Sequence, residues 1–457
     1  MTKSKNTEQL IKPWSLPPKK NYLFYNANLI DVAEKKIMEN ASIYISHGII
    51  LHVMYPGEPL TGVESGLDDA GEYAAIDLEG KYVCPGLIDA HIHIVAVPGK
   101  PDLKSGLNLP FSHAVLRYHK VCNQILERGF TTVRDCGGAA AFVKSAIEDD
   151  IIHGPRLFFA GNALSQTGGH GDLRDPESDG QHSQEDACGC QNNALARICD
   201  GADECLKAAR DELRKGADFI KIMAGGGVIS PTDKLSSLQF SPKEIRAIVL
   251  AANNHGTYVT AHAYTPQAVR QCIENGVRGI EHGNLIDEST AKYMASNNAY
   301  LTPTLITYKA MTSDQLSNFL PEDARKKNEK ILFAGLKSLE IAKNAGVNIC
   351  YGSDLLGPLN AVQTGEFVLR SSVCTPGEIL QQATINPAKL FGMENKLGQI
   401  KPGFFADLLI LKDNPLEDIS VLDGPHRHLL AVMKGGRIYK SRWTKLKNDI
   451  TIDDYIL

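Results

Sequence analysis

Two histidines one residue apart, His91 and His93, lie in the apolar sequence PGLIDAHIHI, which spans residues 85–94. The leucine and isoleucine residues around them predict a buried strand. Side chains at positions i and i+2 of a strand project from the same face, so both imidazoles are directed toward one point. Such a pair can provide two ligands to a metal ion. Two packed histidines, one of them hydrogen-bonded to Asp89, are the alternative interpretation.

Other side chains that can bind a metal occur in later apolar segments. They are Lys221 in FIKIMAGGG, His262 in VTAHAY, His282 in GIEHG and Asp354 in YGSD. In a (β/α)₈ barrel the carboxyl ends of the strands converge on one face, which carries the active site. In such a fold these four residues would meet His91 and His93 in space.

The order of the apolar segments supports this fold. Eight short apolar segments occur between residues 82 and 356, and helix-like stretches separate many of them. In one of these stretches Ser241 is a suitable N-cap, Pro242 occupies the first helical position and Gly256 ends the helix. Alternating strand and helix signals are typical of a parallel sheet. The sequence therefore predicts an α/β protein built on a (β/α)₈ TIM barrel.

The regions outside the barrel have a different pattern. Residues 21–84 and 393–457 contain short strands with turns, and neither piece alone is large enough for a stable core. We expect both chain ends to form one small β-sandwich domain beside a metal-dependent hydrolase barrel of residues 85–392. Residues 1–20 are polar and proline-rich and would form an N-terminal arm. Residues 166–200 form a long polar segment, which is typical of a lid, a binding loop or a disordered region.

Composition excludes several classes of protein. The chain has 457 residues, of which 43% are hydrophobic, and a net charge of −5, so nothing indicates a nucleic-acid partner. No apolar run reaches the roughly 18–20 residues that a membrane span requires. The N-terminus lacks the apolar core of a secretory signal. A cytoplasmic protein without a membrane partner is therefore expected.

The cysteine pattern fits a reducing compartment. Ten cysteines are scattered along the chain, most of them in apolar contexts where they resemble small buried hydrophobic residues. Four of them cluster in a polar stretch: Cys188, Cys190, Cys199 and Cys205. A structural zinc site or a disulfide in this cluster stays open, although the spacing matches no standard zinc pattern.

Taken together, the ordered set of HxH, Lys, His, His and Asp resembles the amidohydrolase superfamily of metal-dependent hydrolases. The resemblance runs from PGLIDAHIH to GSD and includes the later segment KPGFFADLLIL, so it covers most of the chain. The segments ALSQTGGHGD, IKIMAGGGV, QFSPKEI and NPLEDI are similar to the subgroup of metal-dependent dipeptidases, Xaa-Pro dipeptidases and fungal ochratoxinase.

This resemblance implies a binuclear metal site. His91, His93 and Asp354 would bind one divalent ion, with zinc the expected metal, and His262 and His282 would bind a second one. The two ions would lower the pKa of a shared water toward ~7. Asp354 would then take the proton of that water as a general base and pass it to the leaving amine as a general acid.

Lys221 is implied as the bridge between the two metals, in the form of an N6-carboxylated lysine. A neutral amine in a buried site can capture CO₂ and become an anionic ligand, whereas an ammonium would repel the cations. A strand-end lysine that reaches solvent is the alternative. That alternative is awkward in the apolar sequence DFIKIM, since burial of an unpaired ammonium is costly.

Three further residues are candidates for substrate binding. Tyr264 follows His262 by two residues, and the resemblance implies that a tyrosine in this position helps to hold the α-carboxylate of a substrate. His170 in TGGHGD is implied in substrate binding or oxyanion stabilisation, with a loop histidine of no role as the alternative. Gly226 in AGGGV would let the backbone approach the ligand closely, or would simply form a tight turn.

The resulting prediction is a binuclear amide hydrolase that releases an amino acid from dipeptides or N-acyl amino acids, ochratoxin A among them. The resemblance also suggests a homo-oligomer. The first alternative is a mononuclear hydrolase or deaminase that acts on a ring such as imidazolone, a site that would not need Lys221. Lactone or phosphotriester hydrolysis is a second alternative. A non-catalytic scaffold is a third, which the full ligand set disfavours.

Overall fold

The computed structural model describes residues 11–56, 73–174, 195–230, 233–316 and 319–450. Eighteen strands occur in this part of the chain. In chain order they are β1 Asn21–Asp31, β2 Lys36–Ser46, β3 Ile49–Met54, β4 Tyr73–Asp77, β5 Tyr82–Pro85, β6 Leu87–Ile92, β7 Phe130–Asp135, β8 Arg156–Phe159, β9 Ala163–Ser165, β10 Ala196–Ile198, β11 Ile220–Met223, β12 Val259–Ala263, β13 Gly279–His282, β14 Tyr300–Thr302, β15 Asn348–Ile349, β16 Leu408–Leu411, β17 Leu429–Lys434 and β18 Arg437–Ser441.

Thirteen α-helices accompany these strands in the same residues. They are α1 Leu103–Leu107, α2 Phe111–Glu127, α3 Ala141–Glu148, α4 Ala202–Arg214, α5 Pro242–Asn254, α6 Pro266–Glu274, α7 Glu288–Ser296, α8 Leu305–Ala310, α9 Glu322–Asn344, α10 Gly365–Arg370, α11 Pro376–Gln382, α12 Ile385–Leu390 and α13 Pro425–His428. Short 3₁₀ turns lie at Asp314–Leu316, Gly357–Val362 and Ile419–Leu422.

Strands from both chain ends share one sheet. Its order is β18-β17-β16-β5-β1-β2-β3, and β4 pairs with β1 to give eight strands. The two ends join where β16 pairs antiparallel with β5, so that Leu409 lies opposite Cys84. Apolar side chains from both ends, such as Phe24, Ile43 and Leu408, are fully buried in one common core. The distant ends of the sequence therefore depend on each other for a core.

The central part of the chain forms two parallel sheets, as the alternating strand and helix signals predicted. One sheet has the order β10-β9-β11-β12-β13-β14-β15, and the other has the order β6-β7-β8. Neighbouring strands are in register at their carboxyl ends, where Met223 pairs with His262 and Ala263 pairs with His282. The register brings side chains that are far apart in sequence to one edge of the sheet.

Backbone hydrogen bonds connect the two parallel sheets at both of their junctions. At one junction Asp218 N, just before β11, donates to Phe159 O of β8 at 2.8 Å. At the other, Ala90 N of β6 donates to Tyr351 O at 2.8 Å, just after β15. Asp354 N also donates to His91 O at 2.8 Å. The segment that follows β15 is thereby held against the HxH strand.

Helix α5 begins where its sequence predicts. The Ser241 side chain accepts from Glu244 N, the Glu244 side chain accepts from Ser241 N, and Pro242 is the first helical residue. Each of these two backbone N–H groups, which has no partner within the helix, is thus bonded by the side chain of the other residue. This arrangement is the capping box. After the helix, Gly256 adopts a φ of 77°, a conformation that glycine takes without strain.

The eight cysteines in the described ranges are all free and buried. Cys199 and Cys205 lie close together, with their sulfur atoms 3.6 Å apart. Cys188 and Cys190 lie outside the described residues, as do residues 175–194 of the polar segment and residues 1–10 of the arm. A search of the described helices finds none that is long and apolar enough to cross a membrane.

A buried ion pair ties helix α10 to the strand ends. Arg370 Nε and Glu366 Oε1 are 2.7 Å apart, and both side chains are fully buried. Arg370 also donates to Gln382 Oε1 at 2.7 Å, to Cys350 O at 3.0 Å and to Pro303 O at 2.7 Å. The guanidinium thus joins α10 and α11 to the segments at β14 and β15.

We expect the Arg370→Met variant to lose about 3–5 kcal/mol of stability, because it leaves the Glu366 carboxylate buried without its cation. The shift of the urea unfolding midpoint, followed by circular dichroism, measures this loss. Lys337→Met is the control, since Lys337 pairs with Glu340 on the surface and its removal costs at most about 1 kcal/mol. Equal shifts in the two variants would contradict a structural role for the buried pair.

Candidate metal centre

A cavity of about 230 Å³ opens at the carboxyl ends of the parallel strands. All six side chains that the sequence analysis selected as metal ligands line it: His91, His93, Lys221, His262, His282 and Asp354. His170 lines it as well. Residues separated by as many as 263 positions, from His91 to Asp354, therefore meet at one point.

Asp354 lies at the centre of this cluster. Its Oδ1 is 3.3 Å from His91 Nε2 and 3.1 Å from His93 Nε2, and its Oδ2 is 3.9 Å from His282 Nδ1. Ligand atoms of His91, His282 and Asp354 all lie within 4.8 Å of one another. The His262 ring is 4.7 Å from the His282 ring, measured between centroids, so it extends the same cluster.

Each of the two histidines of the HxH pair uses one ring nitrogen to bond with the protein. His91 Nδ1 donates to Glu281 Oε2 at 2.8 Å, and His93 Nδ1 donates to Gly137 O at 3.0 Å. Because a carboxylate or carbonyl oxygen can only accept, both Nδ1 atoms carry the proton. In the neutral form of each ring the lone pair is then on Nε2, which is the atom that faces Asp354. This tautomer is the one that a metal site requires.

The two later histidines are held in the same way. His262 Nε2 donates to Gly226 O at 3.2 Å, which leaves the lone pair on Nδ1. His282 Nδ1 shares a hydrogen bond of 2.8 Å with Thr304 Oγ1. All four imidazoles are therefore oriented by a partner outside the cluster, and each keeps one ring nitrogen for a ligand.

The pKa shifts of two histidines indicate where the cluster favours a positive charge. Burial and the neighbouring rings of His170 and His282 hold the pKa of His262 well below its usual value, so this ring is neutral. Burial lowers the pKa of His91 too, but Cys136 and Asp354 raise it more, and the net shift is upward. The position between His91 and Asp354 thus favours a positive charge, which a divalent ion would supply.

Lys221 is almost fully buried, with 1% of its surface exposed. It lies in β11, where it pairs with Thr260 of β12. In the part of the chain that the structure describes, its Nζ has no hydrogen-bond or ion-pair partner. The predicted alternative of a lysine that reaches solvent is therefore not the arrangement observed.

Two ligand candidates have unusual backbone conformations. His282 has a φ of 73° and Asp354 a φ of 50°, both in the left-handed region that residues other than glycine rarely adopt. Such conformations cost of order 1–3 kcal/mol each and cluster at functional sites. Asp354 is held there by its backbone bond to His91, and His282 is followed by Gly283, which also has a positive φ.

Behind the ligands lies a buried ion pair that the sequence analysis did not select. Glu281 and Arg134 are both fully buried, with Arg134 Nη2 2.6 Å from Glu281 Oε1. Thr260 Oγ1 also donates to Glu281. Burial raises the pKa of Glu281, but Arg134 and His91 more than offset this, and the carboxyl ends with a pKa well below its usual range. The carboxylate is therefore ionised where it accepts from His91.

Two buried aspartates support the loops that carry the ligands. Asp89 accepts from the backbone N of His91 at 3.1 Å and from Ser353 Oγ at 2.6 Å. Asp135 accepts from Ile94 N at 2.7 Å and from two further amides after β7. The alternative interpretation of the HxH pair, a histidine ring bonded to Asp89, is wrong, because Asp89 bonds the backbone of His91 and the His91 ring bonds Glu281.

The three candidates for substrate binding occupy different places. His170 stacks on His262 with centroids 4.2 Å apart, and burial lowers its pKa to about 4. Tyr264 packs against His282 and shares a hydrogen bond of 3.0 Å with the hydroxyl of Tyr308, but it is not among the residues that line the cavity. Gly226 does not line the cavity either, and its carbonyl holds His262.

Glycine is required at two positions of the AGGGV segment. A Cβ at Gly226 would overlap Lys234 O, and a Cβ at Gly227 would overlap the His170 ring. Gly227 is therefore the residue that lets this loop approach His170 closely. The prediction that the glycines of this segment let the backbone approach a ligand stays a prediction.

Comparison with known proteins agrees with this geometry. Residues 82–439 match the amidohydrolase family. Ochratoxinase from Aspergillus niger is 32% identical over 363 residues, which cover 78% of this chain and 75% of the relative. A solved prolidase complexed with N-methylphosphonate-L-proline is 39% identical, with a TM-score of 0.86 and coverage of 93% of this chain and 100% of that one. A Xaa-Pro dipeptidase with bound methionine is 28% identical, with a TM-score of 0.80 and coverage of 92% and 100%. The chain therefore belongs to the amidohydrolase family and is a hydrolase of amide or peptide bonds, as its sequence predicted.

Proposed function

We propose that this protein is a binuclear metal-dependent hydrolase that releases an amino acid from dipeptides or N-acyl amino acids. The observation that carries the proposal is the set of four imidazoles around one cavity, each with one ring nitrogen already bonded to the protein. A carboxylate and an unpaired buried lysine complete the set. These groups match the nitrogen and oxygen donors that bind zinc in proteins.

In this proposal the ligands divide between two ions. His91, His93 and Asp354 would hold the first ion, and the distances of 3.3 Å and 3.1 Å from Asp354 Oδ1 to the Nε2 atoms of His91 and His93 support this grouping. His262 and His282 would hold the second. Imidazole and carboxylate donors suit zinc, although related divalent metals accept the same donors.

Lys221 joins the two halves of the site as a carboxylated lysine. A buried ammonium with no partner is costly, and it would also repel two cations in the same cavity. Reaction of the neutral amine with CO₂ forms an N–C bond, releases one amine proton and gives an anionic carbamate with two oxygen donors. The burial of Lys221 and the absence of a partner for it in the described residues support this assignment.

The reaction then needs a base and an acid close to the scissile amide. Bound divalent ions would polarise the substrate carbonyl and lower the pKa of a water. Asp354 takes the proton of that water and delivers it to the leaving amine, acting first as a base and then as an acid. His170 contacts the substrate from the cavity wall. Tyr264 and Gly226 act by positioning His282 and His262.

The cavity wall indicates the side chains that a substrate carries. Apart from Asn108 and the candidate site residues it is mainly apolar, and its large apolar members are Leu107, Leu173, Leu195, Met223, Ile229 and Leu356. An apolar wall favours apolar groups next to the scissile amide. The names of the similar proteins, a prolidase, a Xaa-Pro dipeptidase and an ochratoxinase, agree with amino-acid amides as the substrate class.

The same proposal includes the architecture around the site. The two parallel sheets would close into one (β/α)₈ barrel of residues 85–392, and the hydrogen bonds at both sheet junctions support this. The sheet of residues 21–84 and 393–457 would form the β-sandwich domain, with residues 1–20 as an arm. A homo-oligomer and a cytoplasmic location stay predictions.

We expect the zinc-loaded protein to release amino acids from Xaa-Pro dipeptides, other apolar dipeptides, N-acyl amino acids or ochratoxin A. Lys221→Ala should lower kcat/KM by about a hundredfold or more, because it removes the bridge that holds the ions in place. Amino-acid release measured by liquid chromatography, with zinc content measured in parallel, provides the test. Lys292→Ala, which removes an exposed lysine of α7, should behave like the wild type.

If protein that holds about two zinc ions per chain releases no amino acid, the proposal that dipeptides or N-acyl amino acids are the substrates is refuted. A single ion in the active wild type would instead favour the mononuclear alternative that acts on a ring such as imidazolone.

Glu281→Gln should weaken zinc binding by about 10- to 100-fold, because loss of the anionic acceptor for His91 Nδ1 weakens the orientation and basicity of that ligand. Titration with a zinc-chelating indicator measures the dissociation constant. Glu366→Gln is a matched control, since Glu366 forms an equally buried pair with Arg370 but contacts no candidate ligand. The same loss of zinc affinity in both variants would show that Glu281 acts only through general stability.

A further inference from the structure

A second cavity, of about 280 Å³, lies where the eight-stranded sheet meets helix α3 and strand β8. Residues of the β2–β3 turn and the β17–β18 turn form one side, and residues of α3 and the start of β8 form the other. It shares no lining residue with the metal cavity. Nothing in the proposed hydrolysis uses it.

Positive charge predominates on the wall of this cavity. Five lining side chains are cationic: Lys19, Lys144, Arg156, Lys434 and Arg437. Two are acidic, Glu148 and Asp150, and His47 and Tyr439 are the other titratable side chains of the lining. The group brings together residues from the start, the middle and the end of the sequence.

Only two of the five cations have a carboxylate partner. Lys144 Nζ is 2.7 Å from Asp218 Oδ1, and Arg156 Nη2 is 3.4 Å from Asp407 Oδ2. Both of these carboxylates lie outside the cavity lining.

The other three cations face neutral groups or none. Lys434 Nζ donates to Gly154 O at 2.5 Å, and Arg437 Nη1 donates to Pro17 O at 2.7 Å. Within the described ranges no carboxylate lies within 4 Å of Lys19, Lys434 or Arg437. Backbone carbonyls satisfy hydrogen bonds but do not neutralise charge. Asp150 and Asp407 offset the charges of Lys19 and Lys434 only in part, because neither carboxylate lies within 4 Å of them.

One donor of a lining side chain has no acceptor among the described residues. Arg156 Nε is buried and has no hydrogen-bond partner. The guanidinium is fixed by stacking on the Phe405 ring, 4.1 Å from its centroid, so it cannot easily turn toward another acceptor. Unsatisfied buried donors of this kind are rare and expensive.

The pKa values of two lysines in this cavity are lowered. Burial, followed by the charges of Arg437 and Arg156, lowers the pKa of Lys19. Burial also lowers the pKa of Lys434 to about 8. An anion among these side chains would favour their charged forms.

We propose that this cavity binds a small oxyanion of the phosphate class through Lys19, Arg156, Lys434 and Arg437. Guanidinium and ammonium groups are the donors that proteins use for tetrahedral oxyanions. The cavity volume of about 280 Å³ suits a small ion. Glu148 and Asp150 on the same wall would repel an extended polyanion. A bound oxyanion would join the two turns of the chain-end sheet to helix α3 and stabilise the junction.

Inorganic phosphate and sulfate are the probes, with sodium chloride used to keep the ionic strength constant. The thermal unfolding midpoint of the zinc-loaded protein should rise with either oxyanion and saturate, because a ligand that binds only the folded state stabilises it by mass action. Lys19→Gln and Lys434→Gln should each raise the apparent dissociation constant for phosphate by about tenfold or more, since each removes a charged hydrogen-bond donor.

Lys20→Gln is the matched control. It makes the same charge change one residue away, but Lys20 is 56% exposed, pairs with Asp449 and does not line the cavity. Its phosphate response should equal that of the wild type. A response that chloride reproduces, or that survives unchanged in both Lys19→Gln and Lys434→Gln, would overturn the proposal, and the second result would indicate phosphate at the metal centre instead.

Discussion

The buried contact between Glu281 and His91 is the interaction on which the rest of the site depends. Glu281 is held on one side by Arg134 and Thr260, and on the other it accepts the Nδ1 proton of His91. This single carboxylate therefore connects four parallel strands, β6, β7, β12 and β13, to the orientation of one imidazole. Because Glu281 is ionised and buried, the contact is strong, and removal of Glu281 would leave the Arg134 guanidinium buried without its carboxylate.

The residues that orient the candidate metal ligands differ from the residues that would contact a substrate. His91, His93, His262 and His282 bond outward to Glu281, Gly137, Gly226 and Thr304, so their free nitrogens are preorganised before any ion arrives. Preorganised ligands save the cost of reorientation when charge develops during reaction. The apolar wall of the cavity instead comes mainly from loops and from helix α1, and such walls can change without disturbing the ligands.

The six ligand candidates could be predicted because strand ends are visible in sequence. His262 and Asp354 follow apolar segments, and a parallel barrel brings all strand ends to one face. Glu281 and Arg134 were missed because their pairing is long-range and depends on strand register, which local patterns do not carry. A signal was present in GIEHG and TTVRD, where a charged residue interrupts a strand that is otherwise suited to burial. The position of Tyr264 behind His282 likewise depends on packing against Tyr308, which no local pattern indicates.

Anomalous diffraction at the zinc edge, from crystals of the zinc-loaded protein, tests the central claim most directly. We expect two zinc peaks in the cavity, one bound by His91, His93 and Asp354 and the other by His262 and His282. Zinc–nitrogen distances should be about 2.0–2.1 Å, and continuous density should extend from Lys221 Nζ to a carboxylate between the peaks. A single zinc peak, with an unmodified Lys221 directed away from it, would contradict the binuclear account.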